Sequence, residues 1–170
     1  MSYNDVFKEQ LVTRKKTIKD TLKKVGLIAA GVLVALISLL PFIAQYELSF
    51  IVIAIVIWVE IIFLKRFNVE FEYSLTNTDL DIDKIFNRYK RKHAFTLDVR
   101  SIIVMLPLKH PSFKSEVGNV TKVYDFSEGT ISDTTYAAIF ERDGQRNQLI
   151  FDPNEVLFNA IRMYIPKKVK

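Results

Sequence analysis

The sequence predicts an α+β chain. A basic N-terminal helix and a two-helix transmembrane hairpin precede a seven-stranded antiparallel β-barrel with one C-terminal capping helix. Three observations predict this. Two apolar runs, 25–44 and 48–64, stand almost back to back, with Glu47 and Glu60 the only charged residues within or between them. From residue 68 onward the apolar residues recur every second position. The chain then ends on a helix-start signal, an amphipathic segment and a proline stop.

Residues 4–24 read as a helix, since Phe7, Leu11, Ile18 and Leu22 are spaced to share one stripe, with Asn4 as N-cap and basic residues on the other faces. Such a helix either lies on an anionic leaflet or extends the first span and packs on the soluble domain or another copy. The 20 residues of the first apolar run cover about 30 Å as a helix, the thickness of a hydrocarbon core. The second run is shorter but within the spanning range. The first run exceeds the ~7–15 apolar residues of a cleaved signal, and no small-x-small site follows it, so both runs are read as retained. Orientation follows from Lys/Arg placement. Arg14, Lys15, Lys16, Lys19, Lys23 and Lys24 precede the hairpin, Lys65 and Arg66 follow it, and the turn Gln45-Tyr46-Glu47 holds no base. The expectation is a double-pass protein of the cell membrane with both termini cytoplasmic. Gly31, Ala35 and Ser38 share a face that suits close approach of the second span, and Pro41 marks the turn. Glu60 is expected to snorkel toward, or pair with, Lys65 and Arg66.

The β region opens with Asn68–Thr76, in which Val69, Phe71, Tyr73 and Leu75 alternate with polar residues. Further strands are expected at 79–86, 90–97, 102–106, 120–126, 135–141 and 146–151, and His110–Asn119 is a loop. The continuous apolar run Ile102–Leu106 reads as a central strand buried on both faces. Asp143-Gly144 is a strong hairpin signal. Asp152-Pro153-Asn154-Glu155 reads as an Asp N-cap, a first-turn proline and an N3 glutamate. The helix it opens buries Val156, Leu157, Ala160, Ile161, Tyr164 and Ile165 and stops at Pro166.

Seven strands and one helix in about 100 residues match the plan of a pleckstrin-homology-like barrel. The chain also resembles small bacterial membrane proteins in which a hairpin precedes a PH-like domain. The stretches carrying the resemblance are Phe71-Glu72-Tyr73-Ser74-Leu75-Thr76-Asn77, Leu80-Asp81-Ile82-Asp83-Lys84-Ile85, Tyr124-Asp125-Phe126-Ser127 and the ending from Phe151 to Pro166. With Asp5-Val6-Phe7-Lys8-Glu9-Gln10-Leu11-Val12 at its start, it is similar to an uncharacterised family of Gram-positive bacteria. The expected organisation is a helix over 1–24, a hairpin over 25–66 (25–44 and 48–64) and a cytoplasmic PH-like domain over 67–170.

Signals for catalysis are sparse. The chain has no cysteine, its five glycines are scattered, and neither a nucleophile motif nor zinc-ligand spacing occurs. Asp79, Asp81 and Asp83 share a strand face, but they lack the turn, glycine and distal glutamate of a calcium loop, so neither metal nor cofactor is expected. His93 is placed on the face of Phe95 and Leu97 as a partly buried imidazole, and His110 in a loop. The basic cluster Lys84, Arg88, Lys90, Arg91 and Lys92 is the candidate contact for lipid headgroups or a partner. Counting along the strands returns its turn to the membrane side, where each base near an anionic leaflet gains about 1 kcal/mol. In lipid-binding PH domains the comparable basic set lies one hairpin earlier. The aromatic residues alternate inward and form no stacking platform, so nucleic acid is not an expected partner. The reading is a non-enzymatic, membrane-anchored PH-like module that binds a protein partner or a second copy at the cytoplasmic face. The alternative is an anionic-lipid-responsive module.

Overall fold

The computed structural model describes residues 6–15, 18–40, 48–65 and 68–170. Asn4, Lys16, Pro41, the turn 45–47 and Arg66, each of which carried an expectation above, lie outside them. The chain divides into two units: 16–69, and a β unit made of 1–15 together with 70–170.

Among the described residues the β unit has eight strands, one more than expected. They are β1 (Phe7–Thr13), β2 (Val69–Thr76), β3 (Asp79–Phe86), β4 (Lys90–Asp98), β5 (Ile102–Pro107), β6 (Lys122–Asp125), β7 (Tyr136–Arg142) and β8 (Gln145–Phe151). They form two four-stranded sheets, ordered β1-β2-β3-β4 and β5-β7-β8-β6, and β6 runs parallel to β8. The fold is therefore two sheets rather than a uniformly antiparallel seven-stranded barrel.

The extra strand comes from the segment expected to be helical. Phe7–Thr13 pairs antiparallel with β2, from Phe7↔Thr76 to Thr13↔Glu70. The four-residue spacing of Phe7 and Leu11 fits one face of a strand as well as a helix stripe, and here tertiary pairing decides between them. Val12 is buried, while Phe7 and Leu11 point outward and are 54% and 56% exposed. The Gln10 amide donates to the Asp152 carbonyl (2.8 Å) and accepts from the Asn154 amide (2.7 Å), fastening β1 to the corner after β8. Lys15 continues this fastening: its amide donates to the Glu128 carbonyl at 2.6 Å, and its ammonium pairs with the Glu128 carboxylate, which raises the Lys15 pKa.

β5 is not central. It ends its sheet order, and residues 168–170 cover its outer edge through Met105 N–H to Lys168 O and Lys170 N–H to Met105 O. The expected loop at 110–119 contains a short helix, α3 (Phe113–Val117). Val117 packs there with Val104, Leu106 and Ile139, a small second core on the far side of the sheet. The main core lies between the sheets and includes Phe71, Tyr73, Leu80, Ile82, Phe95, Leu97, Phe140, Leu149 and Phe151. The helix α4 (Glu155–Tyr164) contributes Leu157, Ala160 and Ile161. Its N-cap is Asn154, whose side chain accepts from Leu157 N–H at 2.8 Å, and not Asp152 as expected. Asp152 is buried and instead accepts from Glu128 N–H at 2.6 Å. In both the Asn87-Arg88 and the Asp143-Gly144 turns the two central residues have positive φ, the twist that suits a two-residue hairpin.

The other unit holds α1 (Ile18–Ser38) and α2 (Leu48–Lys65). Among the described residues one helix, Asp20–Ser38, is long and apolar enough to cross a membrane. The apolar part of α2, Ser49–Leu64, is shorter. The small-residue face behaves as expected, with Gly31 and Ser38 buried. Glu60 differs: it turns toward Gly31 of α1, where a methyl group would land on its carboxyl, and its buried Oε1 has no hydrogen-bond partner among the described residues.

Two outcomes test this packing. Tyr73 is buried, its hydroxyl donates to the Phe126 carbonyl (2.7 Å) and accepts from Asp152 N–H (3.4 Å), and burial pushes its pKa up. Tyr73→Phe orphans both backbone groups, so chemical denaturation of the full chain should show a loss of roughly 1–3 kcal/mol. Gly31→Ala should lower the disulfide cross-linking yield between cysteines placed at Ala30 and Val59, which line one cavity between the helices. Adding Glu60→Ala should restore it.

Candidate functional site

Alternation along a strand sends adjacent residues to opposite faces, and this splits the predicted basic cluster in two. Arg88 and Arg91 belong to the outer face of the first sheet, where acids meet them. The Arg88 Nε donates to Glu70 Oε1 at 3.2 Å. Arg91 pairs with Glu72 and, through Nε, with Asp83 Oδ2 at 2.8 Å. These two bases are therefore structural ion pairs. Lys84, Lys90 and Lys92 have no ion pair among the described residues.

A bulge in β4 explains the rest of that face. Ile82 pairs with Phe95 but Asp83 pairs with His93, so Ala94 is the extra residue. His93 is thereby turned away from Phe95 and Leu97, contrary to expectation, and its side chain is 59% exposed. It joins Asp83 (2.9 Å) and the Thr96 hydroxyl (3.1 Å), which in turn donates to Asp81 at 2.5 Å. Asp81 and Asp83 are thus engaged by Thr96, His93 and Arg91, while Asp79 stands exposed at the strand start. His110 accepts from Ser112 N–H in the turn before α3.

The inner faces tell a different story at the end of the sheets nearest the Arg88 and Asp143 turns. Phe71, Phe95, Tyr124, Phe126 and Phe140 form a cluster with ring centroids 4.6–6.1 Å apart. Bases stand over it. Lys84 Nζ lies 5.3 Å from the Phe126 ring and 5.9 Å from Phe71. Lys122 Nζ is 4.8 Å from Tyr124, and the Arg142 guanidinium is 4.9 Å from Phe95 and 5.5 Å from Phe140. Lys92 is the cross-strand partner of Lys84 and so lies on the same face. Arg14, two residues past buried Val12, lines a cavity of about 150 Å³ with Phe71, Asp125, Ser127 and Gly129. No ion pair engages any of these five bases among the described residues. The cluster read from sequence contains Lys84 and Lys92 but not Arg14, Lys122 or Arg142. The available signal was a base two positions before or after an inward apolar or aromatic residue: Val12-x-Arg14, Lys122-x-Tyr124 and Phe140-x-Arg142.

Two four-stranded sheets with a C-terminal helix fit a PH-like α+β domain, a class made up in general of non-catalytic binding modules. The family model described as bacterial PH-like domain (DUF6106) matches residues 4–170, and the chain belongs to that family. No curated protein and no solved structure matches it. The match begins at residue 4, in keeping with β1 being part of the fold.

If Arg88 is structural, its charge is not interchangeable with that of its neighbours. Glu70 is nearly buried, so Arg88→Gln removes the charged partner of a carboxylate with little access to water. Denaturation should show a loss of about 1–2 kcal/mol for Arg88→Gln, and a change within about 0.5 kcal/mol for Lys90→Gln.

Proposed function

We propose that this chain is a membrane-anchored, non-enzymatic PH-like module, double-pass with both termini cytoplasmic, that holds a protein partner or a second copy at the membrane face. The observation that carries the reading is the insertion of an apolar helix pair between two strands of one sheet. Thr13 and Glu70 are ladder partners, so the chain before the helices and the chain after them stand on the same side of any bilayer. If α1 crosses, the chain must cross back before Glu70, and α2 is the apolar helix available for the return. Its 18 residues span about 27 Å. The helix pair also exposes large apolar side chains, such as Leu33, Leu36, Phe50 and Trp58, that water would not tolerate as a continuous surface. Phe7 and Leu11, exposed on the outward face of edge strand β1, favour a protein partner or a second copy. The alternative, an anionic-lipid-responsive module, draws its support from the unpaired bases, of which Lys84, Lys90 and Lys92 belong to the predicted cluster.

Because the chain has no native cysteine, single reporters are clean. Tyr46→Cys should react with a membrane-impermeant maleimide in intact cells, and Asp143→Cys only after permeabilisation. Labelling of Asp143→Cys in intact cells, or recovery of the chain without detergent, would overturn the anchored double-pass reading.

A further inference from the structure

We propose that the inner-face bases Arg14, Lys84, Lys92, Lys122 and Arg142 form a binding site for a phosphoryl anion, seated over the aromatic cluster between the two sheets. The site is distinct from the Arg88 turn, whose guanidinium groups are taken by Glu70, Glu72 and Asp83.

Placement is the first argument. On β3, β4, β6 and β7 an inward-facing position at one end of the strand is a base, and Arg14 stands just past the end of β1. The strands come from widely separated parts of the sequence, yet Lys84, Lys122 and Arg142 all stand over rings of one cluster, with Lys92 across the ladder from Lys84. Like charges directly across a ladder are unfavourable, and Lys84↔Lys92 is such a pair, left without an acid between them. An anion held there would relieve that repulsion.

Availability is the second argument. Lys84, Lys122 and Arg142 rest on ring faces, which orient the cations without neutralising them. The Arg142 guanidinium also donates to the Thr96 carbonyl at 2.5 Å, which fixes its position. Asp125, the acid that lines the Arg14 cavity, is occupied internally: its Oδ1 accepts from the Ser127 amide (2.9 Å) and hydroxyl (2.7 Å). A phosphoryl group offers several acceptor oxygens to such a set of donors, and Arg binds it in a forked geometry.

The inference rests on the binding-module reading but not on the membrane anchor, so the two fail separately. The full chain in dodecylmaltoside micelles is melted, followed by far-UV circular dichroism, with dihexanoylphosphatidylglycerol, inorganic phosphate or dihexanoylphosphatidylcholine. The expected result is a rise in melting midpoint of roughly 5 °C at saturation with an anionic probe and none with phosphatidylcholine. The rise should shrink as NaCl is raised from about 0.1 to 0.5 M. A rise with phosphatidylglycerol alone identifies a lipid headgroup as the source, and an equal rise with phosphate identifies the free anion. Lys84→Gln/Lys92→Gln/Arg142→Gln should lose the rise, while Lys114→Gln, exposed on α3, should keep it. If the triple variant does not fold, Lys92→Gln and Arg142→Gln singly should each halve the rise. Absence of any rise with both anionic probes, or its full retention in these variants, overturns the proposal.

Discussion

The β1–β2 ladder is the constraint on which the rest of this molecule depends. Seven residues of β1 pair with β2 across an insertion of more than fifty residues that contains both apolar helices. Closing so long a connection carries an entropic cost, but one that grows only logarithmically with its length. The ladder is reinforced by contacts outside it. Gln10 reaches the chain after β8, Lys15 reaches Glu128, and Tyr73 on β2 bonds to both Phe126 and Asp152. The corner at 126–154 thus grips the strand on each side of the insertion, so the start and the return of the helical excursion are fixed by the same polar groups.

Strands whose alternation is both regular and exclusive were legible from sequence. Val69–Thr76 alternates inward apolar and outward polar residues throughout, Asp79–Phe86 does so from Asp79 to Asp83, and no helical spacing competes. Phe7–Thr13 was not legible, because its outward face carries Phe7 and Leu11 and its inward face carries Lys8 and Gln10. What makes it a strand is the vacant edge of β2 and the hydrogen bonds of Gln10, and neither exists in the local sequence. The same limit applies to the cap of α4. Asp152 and Asn154 both suit an N-cap chemically, and the choice falls to Asn154 because Asp152 is claimed by Glu128, 24 residues earlier.

The site shows the converse limit. Bases adjacent in sequence, 88 to 92, suggested a single patch, whereas the ladder sorts them by parity. Arg91 turns outward to Glu72 and Asp83, and Lys92, its immediate neighbour, turns inward beside Lys84. Arg14, Lys122 and Arg142 were invisible as a group because no window of sequence contains two of them. Their common property, a position two residues from an inward apolar side chain, becomes meaningful only once the sheets stack.

Parity in β4 is itself set by the bulge at Ala94. Counting inward from Leu97 and Phe95 without it, the next residues on that face would be His93 and Arg91, and Lys92 would point out. Arg91 would then leave Glu72 and Asp83, and Asp83 would lose His93 as well, stripping the outer face of its balancing charges. The extra residue therefore does two things at once: it closes the acidic outer network and places an unpaired lysine against Lys84. One backbone irregularity separates an ion-paired outer face from bases without an ion pair among the described residues, which is why net charge along the sequence is a poor guide to where such bases gather.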